Sequence, residues 1–511
     1  MAHHHHPRII KSLPPVFVKS SQVELDPKKY RLYRSFILLL LVLSAGLSIL
    51  RLASSSSASS PSFSPSLVQR PPDTFLVETV RDLESLKTHF SSNKNHLQVH
   101  EEEEGVKKSH SCSSLIDGTS TSGEEGLLCC DRSHYRTDVC YMRGDIRTSS
   151  GSSSILLYGS RDGDNGTVET IRPYTRKWET SVMNTIQEVK LQPTKSLGGS
   201  GSRCDVRHKV PAIAFSTGGY TGNVYHEFND GMIPLYITAE RFKGEVVLVV
   251  LEYHSWWKTK YGKVVRKLTN YKMVDFSNDG RVHCFPEMIV GLRIHGELSI
   301  DPKFMPNGRG IQDFQSLLGQ GFGGVATAAA PLPKRAHPKL AIFIRNKSRV
   351  MQNLRNIVKA CERIGFDVQI LNPKRTTPLS EIQAALGSAD AMLAVHGAAM
   401  THLLFMRPGA VLVQIVPLGL DWAADSYYGE PARKLGLKYV AYKVAPEESS
   451  LYKEYDRRDP VLTDPNAITS KGWSETKRVY LDRQNVRVNL RRFSRLMTEA
   501  HTHIITSRLQ R

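Results

Sequence analysis

Three short stretches of this chain bring together residue types that can bind and move charge. The first is GGYTGNVYHEFNDGMIPLY, residues 218–236, in which Asn223, His226 and Asp230 are offset by three and then four positions. On a helix those offsets put all three on one face, while Glu227, one step from His226, points elsewhere. A His and a carboxylate converging on a cleft can act as a general base and its orienting partner. The same residues on a capped surface helix would carry no chemistry. The second stretch is RNKSR, residues 345–349, which places Arg345, Lys347 and Arg349 directly after an apolar run. Such a cluster suits a diphosphate, because guanidinium groups take phosphate oxygens two at a time. The third is AVHGAAMTHLLF, residues 394–405. Here His396 offers a hydrogen bond or a positive charge, Thr401 a hydroxyl, and Gly397 a close approach of backbone to ligand.

These stretches need elements to hold them. AIAF (212–215), VVLVVLE (246–252), KMVDF (272–276) and MIVGLRI (288–294) read as strands of a first unit, with helices around 225–241 and 256–268. A Gly, Pro and Ala-rich passage at 319–338 reads as an interdomain linker. Beyond it, KLAIFIR, DVQIL, DAMLAV, VLVQIV and YVAYKV alternate with helical stretches, the pattern of a parallel, doubly wound sheet. In such a sheet, ligands bind beyond the carboxyl ends of strands, and anions settle at helix N-termini. RNKSR and HGAAMT both occupy strand ends. Near the C-terminus, Val486, Leu490, Phe493, Met497, Ala500 and Ile504 define an amphipathic helix that docks on the domain, with Arg487, Arg491 and Arg495 off its apolar face.

The 511 residues and 40% hydrophobic content suit two domains beyond any tail. The formal charge of +19 is dispersed and accompanies no zinc-finger, RNA-recognition or helix-turn-helix pattern, so nucleic acid is not the expected partner. A basic cleft suits an anionic substrate instead. Phe36 to Leu50 carries no charge, and seven basic against two acidic residues precede it. That is the pattern of an uncleaved signal anchor at 36–52 with residues 1–35 cytosolic and the remainder lumenal, in a thin membrane of the early secretory pathway. The Ser and Pro-rich stretch at 53–66 and the acidic stretch within 91–125 extend it as a flexible stem over 53–126. All seven cysteines lie beyond the anchor, where an oxidising compartment permits disulfides, and without a Cys-x-x-Cys pair no zinc site is expected. Two glycosylation sequons occur, at Asn165 and Asn346. A glycan on Asn346 would block the diphosphate turn, so Asn165 is the expected site.

The ordered blocks CDRSHYRTDVC, MRGDIR, FSTGGYTGNVYHEFNDGMIPLYIT, VVLEYHSWWKTKYG, HCFPEMIVGL, RNKSR, HGAAMTHLLF, GAVLVQIVPLGLDW and PEESSLY resemble plant glycosyltransferase family sixty-one, in particular its xylan-decorating group of arabinosyltransferases and xylosyltransferases. The resemblance implies a GT-B fold of two Rossmann-like domains, an acceptor-side domain over 127–330 and a nucleotide-sugar-binding domain over 331–511 with the C-terminal helix. It implies an inverting enzyme of the Golgi membrane, single-pass with a lumenal catalytic region. That enzyme would move arabinofuranose or xylose from its UDP derivative to the xylan backbone, without an essential metal or other cofactor, in hemicellulose and cell wall synthesis. Asp230 and His226 would be catalytic, with Asp230 the base and Asn223 in support. Arg345, Ser348, Arg349, His396, Gly397, Ala398 and Thr401 would hold the nucleotide sugar, and Cys130 and Cys140 would pair. The family's usual Gly-Leu-Thr-Asn ending here reads Ala399-Met400-Thr401-His402. The implied partners are a xylan or xylo-oligosaccharide acceptor, the Golgi membrane, and a homo-oligomer or xylan synthase complex. Competing readings are a β-1,2-xylosyltransferase of N-glycan cores and a non-catalytic Golgi scaffold or glycan-binding subunit.

Overall fold

A computed structural model describes residues 112–118, 125–159, 166–194, 203–322 and 336–510. The expected tail and anchor, most of the expected stem, Asn165 and much of the expected linker lie outside the described residues. Among the described residues no helix is long and apolar enough to cross a membrane. A helix at Cys112–Asp117 is tied by a Cys112–Cys129 disulfide to the first strand, so described structure begins before the boundary expected at 127. At the expected linker, residues 319–322 complete the helix Ile311–Phe322.

The described residues form a mixed α/β fold with two sheets. The first has ten strands: β1 Leu127–Asp131, β2 Val139–Ser149, β3 Ser154–Tyr158, β4 Glu169–Ile171, β5 Val189–Thr194, β6 Val206–Arg207, β7 Ala212–Ser216, β8 Val247–Leu251, β9 Val274–Asp275 and β10 His283–Val290. Its parallel part runs β10-β7-β8-β9, and every residue of β7 and β8 is buried, as continuous apolar runs covered on both faces must be. This sheet departs from a plain Rossmann-like half. β2 pairs antiparallel with β10, β3 and β1, and β4 with β5. Of the strands before residue 206 only β5, with Val189 and Leu191 inward and Lys190 and Gln192 outward, alternates clearly. Disulfides staple the antiparallel flank: Cys130 and Cys140 face each other across β1 and β2, and Cys204 is bonded to Cys284 in β10.

The second sheet is wholly parallel: β11 Lys339–Phe343, β12 Asp367–Leu371, β13 Ala391–Val395, β14 Val411–Val416 and β15 Lys438–Lys443, in the order β12-β11-β13-β14-β15. The fully buried strands β13 and β14 are central, and the charged ends of β12 and β15 fall on the edges. From β11 the chain crosses to β12 on one side, and from β13 it moves to β14 on the other. The carboxyl ends of β11 and β13 therefore flank a topological switch point, where such sheets bind ligands. The first sheet has its own switch between β7 and β10. One apolar cluster serves both sheets: Phe228, from the helix after β7, meets Phe314 and also Phe405, from the turn after β13. The C-terminal helix Leu490–Leu509 buries Phe493, Met497, Ala500 and Ile504 against the second sheet, as its spacing predicts.

Candidate active site

At the first switch point, β7 leads through a glycine-rich loop into a helix that begins at Val224. Asn223 caps that helix, its Oδ1 accepting from the Tyr225 amide at 3.1 Å. This is a structural role. From Glu227 to Met232 the helix widens into a π-turn before continuing over Ile233–Ala239. Such widenings occur often at functional sites. Here it carries Asp230, whose side chain is 0% exposed.

Asp230 is surrounded by donors. His226 Nδ1 lies 2.6 Å from Oδ2, Asn229 Nδ2 donates to Oδ1 at 2.7 Å, and Tyr174 donates to Oδ2 at 3.3 Å. Arg176 Nη1 lies 3.3 Å from both oxygens, and Arg136 Nη2 3.8 Å from Oδ1. Burial works to raise the carboxyl pKa, but the His226 hydrogen bond and the charges of Arg176, His226 and Arg136 outweigh it and hold the pKa below the usual value. Asp230 is thus an ionised, saturated carboxylate with no lone pair left for an acceptor hydroxyl. This places it behind the site, in the position of an orienting partner and not of the base. An ionised carboxylate only accepts, so His226 donates through Nδ1 and, when neutral, leaves Nε2 as an unprotonated acceptor.

Glu227 does not point away. It is buried, accepts from the Gly222 amide at 2.6 Å and from Trp257 Nε1 at 2.8 Å, and lines the same small pocket as His226, Tyr174, Tyr220 and Trp257. Burial raises its pKa. Helical offset alone could not show this, because the preceding loop folds back over the side chain. Arg136 and Arg176 also went unread. Arg136 is 2% exposed, bonds Glu297 Oε1 at 2.8 Å and stands over Trp178. Its signal was the run of charged residues inside the disulfide block CDRSHYRTDVC.

At the second switch point, Arg345 and Arg349 follow β11. Arg345 donates to the Ser348 carbonyl at 2.9 Å and Arg349 to the His396 carbonyl at 2.9 Å. Among the described residues neither arginine makes an ion pair, and Arg349 Nε is buried without a hydrogen-bond partner. Burial and the neighbouring Arg345 push the Arg349 pKa down to about 9, and burial lowers Arg345 as well. Two adjacent cations, Arg349 buried and Arg345 half-buried, that make no ion pair among the described residues suit an anion. Arg349 also holds a φ of +55°, a strained conformation for a residue other than glycine. Lys347 is exposed.

Gly397, after β13, has φ +150°, and a Cβ there would sit 2.3 Å from Arg345 Nη1. Only glycine lets this backbone lie against the arginines. His396 is 4% exposed and neutral: burial, then Arg349 and Arg345, push its pKa down to about 3. The Tyr439 hydroxyl donates to Gln414 Oε1 at 2.8 Å, and Gln414 Nε2 lies 2.8 Å from His396 Nδ1. That relay leaves the His396 proton on Nε2, so the residue serves as a hydrogen-bond donor and not as a cation. Ala398 is half-buried at the start of the following turn, but Thr401 is 0% exposed and Met400 and His402 are buried. Thr401 therefore does not offer its hydroxyl to the surface of the site. His402 stacks on Phe343 and donates through Nδ1 to the Ala399 carbonyl, 2.7 Å away, inside the core.

Aromatic rings join the two switch points. Tyr225 touches His226 edge-on at 5.2 Å between centroids, then Tyr427 at 5.4 Å and Tyr428 at 6.0 Å, and Tyr428 meets His396 at 5.4 Å. The oriented imidazole and the cation pair face one junction.

A family model described as Glycosyltransferase 61 matches residues 250–413, which contain Arg345, Arg349, His396 and Gly397 but not His226 or Asp230. The chain is 52% identical over 408 residues to the xylan glycosyltransferase MUCI21 of Arabidopsis thaliana, across 77% of this chain and 83% of that one. It is 38% identical over 413 residues to the beta-1,2-xylosyltransferase XYXT1 of Oryza sativa subsp. japonica, across 76% and 88%. Against the alpha-1,3-arabinosyltransferase XAT3 of the same rice it is 35% identical over 375 residues, across 73% and 64%. Among solved structures, the bacterial iron-containing glycosyltransferase TibC of E. coli aligns with a TM-score of 0.24 at 13% identity, over 49% of this chain and 69% of that one, too weak a likeness to bear on the site.

Proposed function

The chain belongs to glycosyltransferase family sixty-one, and we propose that it transfers a pentose, arabinofuranose or xylose, from its UDP derivative to backbone xylose of xylan with inversion at the anomeric carbon. One observation carries the reading most: a carboxylate-oriented imidazole faces, across a tyrosine layer, the buried Arg349 and half-buried Arg345, neither of which makes an ion pair among the described residues. His226 Nε2 takes the proton of the acceptor hydroxyl as that oxygen attacks the anomeric carbon. The bond from that carbon to the UDP oxygen breaks, and charge develops on the departing diphosphate. Arg345, Arg349 and the Nε2 proton of His396 receive it. Asp230 holds His226 in the reactive tautomer and stabilises the imidazolium.

The relatives named for xylan and for pentose transfer support this acceptor and these donors. We read the two sheets as the halves of a GT-B enzyme, the second holding the nucleotide. The arginines supply the charge compensation for which many transferases use a divalent ion, so transfer should persist in chelator. The apolar segment at 36–52 supports a signal anchor and a lumenal, Golgi placement.

The deciding experiment incubates the purified full chain with UDP-xylose or UDP-arabinofuranose and xylo-oligosaccharides. Transfer of one of the pentoses to an internal xylose is expected. Absence of transfer from both donors by a chain that binds UDP would overturn the reading.

A further inference from the structure

The rings around His226 extend far beyond the width of one sugar. On one side Tyr220 stacks on His226 at 4.2 Å and 25°. The Arg176 guanidinium lies between Tyr220 and Trp178, 5.4 and 4.7 Å from their ring centres. Trp178 then meets Tyr135 at 6.0 Å, and Tyr135 is 49% exposed. On the other side the path continues from Tyr225 to Tyr427, to Trp422 at 5.8 Å, and to Trp473 at a further 6.2 Å. Trp422 and Trp473 are 44% and 46% exposed. A line of rings, bridged at one step by the Arg176 guanidinium, therefore crosses the His226–Asp230 pair and opens to solvent at both ends.

Core packing does not explain half-exposed indoles in contact with one another, since leaving such area in water forgoes burial worth about 25 cal/mol per Å². Nor does the line suit a polyanion: Arg176, its central cation, is already engaged by Glu179 and Asp230. Flat apolar faces with polar rims match sugar rings, whose C–H faces stack while their hydroxyls reach the rim. Rings on both sides of the imidazole match a chain that passes through the site and does not end there.

We propose that this line is an acceptor track, which holds an internal stretch of a linear, largely neutral polysaccharide with sugars bound on both sides of the one modified. Tyr220, Trp178 and Tyr135 form one arm, and Tyr427, Trp422 and Trp473 the other. The inference rests on the proposal that the chain glycosylates a polysaccharide.

The test measures kcat/KM of the full chain on xylobiose and xylohexaose, for the wild type and for Trp473→Ala, Trp473→Phe and Tyr135→Ala, with a UDP thermal shift to report an intact donor site. The wild type is expected to favour xylohexaose by tenfold or more, and each alanine variant to raise KM for xylohexaose by about tenfold. The rise for xylobiose should be much smaller, and Trp473→Phe should recover most of the loss. A wild type with no length preference, or alanine variants that bind UDP and retain the wild-type KM for xylohexaose, would overturn the track. Affinity electrophoresis in gels containing xylan or other linear glycans separates the two proposals. Retardation by another glycan that depends on Trp473, with neither retardation by xylan nor transfer to it, would remove the xylan reading and leave the track standing.

Discussion

At the scale of single residues, the geometry favours His226 as the base and Asp230 as its orienting partner, the reverse of the roles that the family resemblance implies. The offset of four was legible as a shared face, but not which member lies behind the other. Burial and the convergence of Arg136, Arg176, Asn229 and Tyr174 decide that, and these come from distant segments. Two substitutions separate the roles. His226→Gln should lower turnover by about 10²–10⁴-fold with UDP affinity and melting temperature nearly unchanged. Asp230→Asn should lower turnover comparably by presenting the wrong tautomer, and should also destabilise by about 3–5 kcal/mol, because Arg136 and Arg176 lose their shared counter-charge. Single-turnover transfer beside thermal melting reads both, and an Asp230→Asn protein of wild-type stability would refute the buried-pair account. The cation pair makes the reverse prediction. Arg345→Met should leave the unliganded protein about as stable, since it removes a half-buried charge that makes no ion pair, while abolishing the thermal shift given by UDP. A UDP shift of wild-type size in that variant would exclude Arg345 from the donor site.

At the scale of elements, the parallel sheet was legible because its strands are apolar on both faces, and so was the placing of RNKSR and HGAAMT at strand ends. The sequence could not reveal that those ends belong to adjacent strands at a switch point, which depends on the β12-β11-β13-β14-β15 order. The antiparallel flank of the first sheet was not legible because its longest strand, β2, interrupts its apolar residues with Arg143, Gly144, Asp145 and Arg147, while β1 and β4 are short and mostly half-exposed, and a disulfide ties β1 to β2. Gly397 tests the element-level geometry. Gly397→Ala would place a methyl group 2.3 Å from Arg345 Nη1 at a φ of +150°, and should weaken UDP binding at least tenfold by displacing that guanidinium, with a stability loss of about 1–3 kcal/mol. Calorimetric titration with UDP checks it, and unchanged affinity would mean that the turn does not set the arginine. Asn346, exposed and adjacent to Arg345, should carry no glycan in an active enzyme. Glycopeptide mapping that found it fully occupied would remove RNKSR from the donor site.

At the scale of the whole molecule, one apolar cluster carries both switch points, and the substitutions in the HGAAMTH stretch act through it. Met400 and His402 are buried, so at those two positions the departure from the ending that the resemblance leads one to expect alters packing beneath the turn, while Ala399 is half-buried. This arrangement has a consequence for acid stability. His396 and His402 are neutral in the fold, with burial pushing their pKa values down to about 3 and about 4. In the unfolded chain both titrate near 6.5. As pH falls from about 6.5 toward 4, the unfolded state therefore binds protons that the folded state refuses, and stability declines by up to about 1.4 kcal/mol per pH unit for each residue. Asp230 behaves differently. Its folded pKa lies below the usual carboxyl value, so its stabilising contribution persists down to about pH 4 and is lost only as pH falls through the folded pKa. Acid destabilisation should accordingly begin with the histidines, well above the carboxylate range. Urea unfolding midpoints across pH 7 to 4 should fall steadily, and His402→Phe, which keeps a ring against Phe343, should make that slope shallower, the remainder coming from His396 and from the partly buried His134, whose pKa burial also pushes down to about 4. Midpoints that stay level until pH 4 would show that neither buried imidazole governs the acid limb.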